Sequence, residues 1–218
     1  MNAPASVIHG LLDDLVARFA DTGDSADLVA ARTEHDERRG RVFEDEELWE
    51  SWSQAFLEWY VLERPGADGA PPAVGAVAGE TDDERAAALR ALCRSHRSLF
   101  EIRALRPGSV DLHDLIGGGE FRVDESRALY GVEVGDVAEL RLVGFAGRVL
   151  FGRTFCYHPT GTRDAIAKHV ARIRGRGGER REVMDFCAAL RVRCERYRNV
   201  QAVRVYEAAD GRRGATPA

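Results

Sequence analysis

The sequence predicts an α+β fold: a small antiparallel β-barrel or curled sheet flanked by N-terminal and C-terminal helices. Three observations carry this expectation. Apolar residues recur at helical spacing before residue 99 and again after residue 162. Between residues 99 and 158 the period drops to 2, the spacing of a strand with one buried face. Glycine-containing turns separate the period-2 runs, and several short strands of this kind remove their exposed edges by curling or closing.

In VIHGLLDDLVARF, Val7, Ile8, Leu11, Leu12, Leu15, Val16 and Phe19 form one apolar stripe, so a first amphipathic helix is expected to end near Thr22-Gly23. A polar stretch follows. EDEELWESWSQAFLEWYVLER then opens on acids, which favour a helix N-terminus, and sets Leu48, Trp52, Phe56, Trp59 and Tyr60 along one side. Aromatics so spaced read as core rather than as a stacking surface for a ligand. PGADGAPPAVGAVAGE, residues 65–80, reads as a loop. Thr81 and Glu84 have the spacing of a capping box, which starts the next helix at Asp82 and places Cys93 near its apolar stripe.

The strand region begins with Phe100, Ile102 and Ala104 alternating with Glu101, Arg103 and Leu105, and turns at Arg106-Pro107-Gly108-Ser109. VDLHDLI, EFRVDE, VAELRLV and RVLFGRTFCYH supply four more strands, with Gly117-Gly118-Gly119 as a turn and Gly152 as a candidate bulge. Ala138, Leu140 and Leu142 are set against Glu139 and Arg141; Val149, Phe151, Phe155 and Tyr157 share a face. Thr162 is the expected N-cap of a helix carrying Ile166, His169, Val170 and Ile173 on one side. After the break at GRGG, Val183, Cys187, Leu190, Cys194 and Tyr197 make a seam of about two heptads. QAVRVYEA is expected to add a short final strand, and the end to be disordered. The resulting plan is an acidic helical region at 1–64, a loop at 65–80, a capped helix plus barrel at 81–160, a basic helical region at 161–207 and a tail at 208–218.

Charge is distributed unevenly: the net value is −14 for residues 1–84, +2 for 85–162 and +7 for 163–218. Attraction within one molecule or between two copies is the first expectation, ahead of nucleic-acid binding by the basic end. With 218 residues, 44% of them apolar, the chain can bury a sizeable core. No run approaches the ~18 consecutive apolar residues of a membrane span, and the start lacks a basic leader. A cytoplasmic protein with reduced thiols at Cys93, Cys156, Cys187 and Cys194 and no membrane association is therefore expected.

CRSHRSLFEIRALRPGSVDLHDLIGGG, residues 93–119, gathers chemistry-bearing side chains. Cys93, His96, Cys156 and His158 would make a Cys2His2 zinc set, but regular elements rather than knuckle turns carry them, so no metal is expected. His113 shares its strand face with Asp111 and reads as solvated or locally hydrogen-bonded rather than as a general base. Neither Asp111 with Asp114 nor Asp124 with Glu125 is framed as a catalytic pair. The sequence lacks a nucleophile elbow, a phosphate loop, a dinucleotide fingerprint and an HExxH motif, and no cofactor is expected.

From Phe56 to Val170 the pattern resembles the region that precedes the metal-binding tail in bacterial SEC-C-motif proteins. The residues carrying it are Phe56, Trp59 and Tyr60; Glu84 to Ser95; Ser98 to Ile102; Val110 to Gly117; Val123 to Ser126; Val134 to Asp136; and Leu140 to Val143. The cysteine-rich tail itself is absent, so the resemblance implies a bacterial, largely uncharacterised group and lends no ligand. The leading expectation is a non-enzymatic binding or adaptor module for a protein partner or a second copy. The alternative is a nucleic-acid-binding barrel in which outward Arg103, Arg122, Arg141 and Arg148 follow phosphates and Phe145 stacks on a base. An enzyme of unrecognised type stands third, to be revived by a pocket that gathers titratable residues.

Overall fold

The computed structural model describes residues 3–20, 25–126 and 131–209. The expected end of the first helix at Thr22-Gly23 and most of the 208–218 tail lie outside them. Eight helices and five strands are present among the described residues. The sheet is built from β1 (His96–Arg106), β2 (Ser109–Asp114), β3 (Glu120–Asp124), β4 (Val137–Phe145) and β5 (Arg148–Tyr157). All neighbours are antiparallel, in the order β3-β2-β1-β4-β5.

The sheet is strongly curled and does not close into a barrel. Its edge strands β3 and β5 approach each other, and Arg148 Nε on β5 reaches Asp124 Oδ2 on β3 at 3.7 Å, but no ladder joins them. The concave face holds one apolar cluster to which every strand contributes, including Phe100, Leu112, Val123, Leu140 and Phe151. Two bulges sharpen the curl. One lies at Arg103, and the other spans Gly152–Thr154 opposite Arg141, where the sequence had marked Gly152. A Cβ on Gly152 would stand 3.0 Å from Arg141 Cβ, so glycine lets the bulge close on β4.

Helices cover the convex face. α1 (Pro4–Ala20), α3 (Trp49–Leu62) and α5 (Asp83–Cys93) pack their stripes around Val143 and Leu150 at one end. α6 (Arg163–Gly175) and α7 (Arg180–Arg196) pack on Leu99 and Val137 at the other. Trp52, Phe56, Trp59 and Tyr60 are all buried, as the spacing predicted. Val183, Cys187 and Leu190 of the α7 seam are buried too, whereas Tyr197 lies past the helix end and is exposed.

Several elements differ from expectation. The polar stretch before α3 contains α2 (Ala26–Arg39), capped by Ser25, whose side chain accepts from the Leu28 N–H. Residues 72–79 of the expected loop form α4 (Pro72–Gly79), started by proline at its first position and buried through Ala73 and Ala76. The expected final strand is instead α8 (Ala202–Ala208), whose Tyr206 is fully buried against α6 and α7. Asp82 rather than Thr81 caps α5, accepting from the Arg85 N–H at 2.8 Å. Thr162 occupies the N-cap of α6, but its hydroxyl donates to the Pro159 carbonyl.

Acidic side chains of the N-terminal region pair within the molecule, mostly with arginines of the middle segment rather than of the basic end. Asp13 holds Arg153, Asp14 holds Arg85, Glu46 holds Arg196, and Glu58 and Glu63 hold Arg141.

Candidate functional site

The alternation of β4 looks half-solvated in sequence, yet Val137 to Val143 are all buried because helices lie over the convex face. Charges that would point to water in an uncovered sheet are therefore trapped between layers. Arg39 from α2 is 1% exposed and donates through Nη2 to both oxygens of Glu139 on β4, at 2.8 and 2.7 Å. Its Nη1 stands 3.3 Å from Asp185 of α7, which also accepts from Arg38. Arg141 donates to Glu58 of α3 at 3.1 Å, to Glu63, and to the Ser95 hydroxyl at 2.9 Å. Glu58 also clamps the β5 bulge, its Oε1 accepting from Arg153 N–H, Thr154 N–H and Thr154 Oγ1 at 3.1, 3.0 and 2.8 Å. A bulge frees backbone donors, and this carboxylate satisfies them.

Burial by itself would raise the Glu139 pKa, but the adjoining Arg39 and Arg97 charges hold its carboxyl well below the usual carboxylate range. Glu63 follows the same balance: burial raises its pKa, and Arg97 and Arg141 bring it down. Such pairs cost desolvation and contribute geometry more than net stability, whereas removing one partner strands a buried charge at roughly 3–5 kcal/mol. The network is thus a frame that ties α2, α3 and α7 to β4 and β5.

One side of that frame opens as a cleft of about 260 Å³. Its floor is Arg97 and Arg141 with Glu63, one wall is Ser95 and His96, and the other is the first turn of α7 with Arg180 and Arg181. Leu62, Cys93 and Met184 give it an apolar side. Arg97 is 8% exposed and lies 3.1 Å from Glu63 and 3.4 Å from Glu139, yet none of its three guanidinium nitrogens makes a directed hydrogen bond.

His96 is fixed by Asp114. Its Nε2 stands 2.8 Å from Asp114 Oδ2, and Arg180 Nη1 lies 3.0 Å from His96 Nδ1 and 3.4 Å from the same carboxylate. Asp114 Oδ1 accepts from Ser98 Oγ at 2.5 Å and from the Ile116 N–H at 2.9 Å. Burial opposes the charged form of Asp114, but the hydrogen bonds from His96, Ser98 and the 116–117 backbone push its pKa far below the carboxylate range. The glycine turn makes this approach possible. A Cβ on Gly117 would stand 2.6 Å from Asp114 Oδ2, and Gly118 has φ +74°.

The first turn of α7 carries Arg180, Arg181 and Glu182. Glu179 at its N-cap makes no side-chain cap, so the N–H groups of the first turn lack that acceptor. Among the described residues, neither Arg181 on α7 nor Arg94, which follows the cleft residue Cys93, has an acidic partner within ion-pair distance. Both are exposed.

The residues singled out in the sequence are distributed differently from either expected site. Arg103, Arg122 and Arg148 are exposed and paired with Glu101, Asp111 and Asp124. Arg141 is buried rather than outward, because β4 is covered on both faces, and Phe145 is half-buried against the α1–α3–α5 cluster. Cys93 borders that same cluster and His96 is on Asp114. Cys156 packs with Trp52 and Ala188, and His158 Nδ1 is 2.6 Å from the Tyr206 hydroxyl. The four do not converge; among the described residues no group of three or more His, Cys, Asp or Glu side chains is placed to hold a metal. His113 is hydrogen-bonded to Glu120 at 2.7 Å, a local contact of the expected kind.

The cleft does gather titratable groups: Cys93, His96 and Glu63. Their partners leave them poorly placed for chemistry. Glu63 is neutralised by two arginines, His96 lies between Asp114 and Arg180, and burial raises the Cys93 thiol.

Fold and site together define an α+β chain with a curled antiparallel sheet, helices over its convex face and an arginine-rich cleft at its edge. The chain belongs to a family of unknown function (DUF7986), which it matches over residues 34–193, a span that includes every residue lining the cleft. That description contains no link to SEC-C-motif proteins. No curated protein and no solved structure matches the chain. Among the described residues, no helix is long and apolar enough to cross a membrane.

Proposed function

We propose that the protein is a non-enzymatic binding module that docks an anionic group of a protein partner in the cleft between β1 and α7. The carrying observation is that four arginines, Arg97, Arg141, Arg180 and Arg181, line one cleft whose lining includes a single carboxylate, Glu63. A helix N-terminus and guanidinium groups both favour an oxyanion. The buried pairs beneath hold the floor in place, as preorganised recognition requires. The cleft is smaller than the roughly 300–1,000 Å³ of small-molecule sites, which suits one side-chain group better than a whole metabolite. Pairing of Arg103, Arg122 and Arg148 weighs against the nucleic-acid alternative, since each would have to exchange an acidic partner for phosphate.

Thermal unfolding in chloride, succinate, sulfate and phosphate at matched ionic strength tests the reading. Divalent anions should raise Tm of the parent protein and lose that effect in an Arg180→Gln/Arg181→Gln variant. Equal Tm in all four salts would refute an anion site.

A further inference from the structure

The end of α7 opposite the cleft carries a second face. The turn that leads into α3 rests there on the last turns of the helix, Val42 packing in one buried cluster with Val192. Two large aromatic side chains are exposed among the described residues, Phe43 at 47% and Tyr197 at 51%, and both belong to this face. Arg196 joins them: its guanidinium lies 5.9 Å from the Phe43 ring centroid, its Nη2 donates to the Arg41 carbonyl, and Tyr197 is the next residue. Val200 is also exposed; its N–H donates to the Tyr197 carbonyl, and its side chain extends the apolar area. Exposed aromatics set among arginines are the composition of an interface centre rather than of free surface.

The charges around the aromatics bear on what covers them. Arg41 and Arg193 are exposed, with guanidinium groups 4.9 Å from the Phe43 ring centroid and 5.7 Å from that of Tyr197. Neither has an acidic partner within ion-pair distance among the described residues. Glu44, Asp45 and Glu47, on the same turn as Phe43, are exposed and equally without a basic partner. An acidic segment or a polyanion laid here would meet three open carboxylates, and a basic segment would meet the arginines. A second copy, rotated about an axis between the two groups, lays each sign on its opposite.

We infer that this face is a homodimer interface: two copies meet about a two-fold axis with Phe43 and Tyr197 at the centre, and the open acids of each copy face Arg41 and Arg193 of the other. Sedimentation velocity of the full chain tests this. The parent should be a dimer that dissociates on dilution, and a parent that is still monomeric at about 100 μM overturns the inference. Phe43→Ser/Tyr197→Ser should raise the dissociation constant about thirtyfold or more. A dimer that this variant leaves unchanged lies on another face and overturns the assignment.

Charge reversal supplies the second test. Glu44→Arg/Glu47→Arg and Arg41→Glu/Arg193→Glu, each shown to be folded by its thermal transition, should be monomeric alone, because like charges then meet across the axis. Mixed, they should associate one to one. Two variants that each dimerise as tightly as the parent overturn the inference, as do two monomers that stay apart when mixed.

Discussion

Two buried histidines should make this protein sensitive to mild acid. His35 on α2 is 1% exposed and ringed by Trp52, Phe56 and Trp59 at centroid distances of 5.9, 5.4 and 5.6 Å. Neither of its ring nitrogens has a hydrogen-bond partner. Burial, reinforced by the Arg39 and Arg97 charges, lowers its pKa to about 4; burial does the same to His158, also to about 4. The unfolded values lie near ~6.5. Because the folded values are depressed, the unfolded chain takes up protons first as pH falls, so stability is full above about 6.5 and is lost between there and about 4. At pH 5 each histidine costs about 2 kcal/mol, and the pair about 4 kcal/mol, a large part of the ~5–15 kcal/mol of a folded domain. Urea unfolding at pH 7, 6 and 5 measures this above the carboxylate range. His35→Phe removes one titrating group from an aromatic box without breaking a hydrogen bond. The variant should lie within about 1.5 kcal/mol of the parent at pH 7 and recover about 2 kcal/mol of the loss at pH 5. The same pH slope in parent and variant would show that His35 is not held neutral by burial.

Three further outcomes follow from the frame behind the cleft. Glu58→Gln places an amide donor against Arg141 and weakens the bulge clamp, so urea unfolding should show a loss of about 2–4 kcal/mol; a loss under about 1 kcal/mol would mean that the clamp is not needed. Gly152→Ala puts a Cβ 3.0 Å from Arg141 Cβ and should cost about 1–3 kcal/mol in the same assay, against no change if the bulge can widen. Burial raises the thiols of Cys156 and Cys187 to about 12, so mass spectrometry after iodoacetamide treatment of the native protein at about pH 8 should find neither alkylated before Cys93 and Cys194. Equal labelling of all four would contradict the packing of α7 on the sheet.

Much of the architecture was legible, and the misses share a physical cause. Helices α1, α3, α5, α6 and α7 and all five strands announce themselves by apolar period and turn chemistry. α2 does not, because its buried stripe is Leu28, Ala31, His35 and Arg39: helical in spacing, but half polar in content. A hydropathy reading takes TEHDERRG for solvent-facing chain, although the spacing of 3, 4 and 4 residues was present. α4 was hidden by its Pro, Gly and Ala composition, which says loop unless tertiary contacts stabilise a short helix. For the site, the stretch from Cys93 to Gly119 reads in sequence as a metal or catalytic question answered by ordinary packing; in the fold it supplies Ser95, His96 and Arg97 to the cleft and Asp114 beside His96. Arg180 and Arg181 were not, because nothing in sequence shows that α7 begins beside β1.

Taken alone, the sequence determined the switch from helix to strand near residue 99, the positions of the turns and of one of the two bulges, and the aromatic core of α3, because each depends on neighbours a few residues apart. Only the tertiary structure decided which face of the sheet meets water. Glu139 and Arg141 read as an outward polar row until helices cover them, and then the same alternation becomes a buried ion-pair frame. Charge identity is local, but its solvation depends on what packs above it.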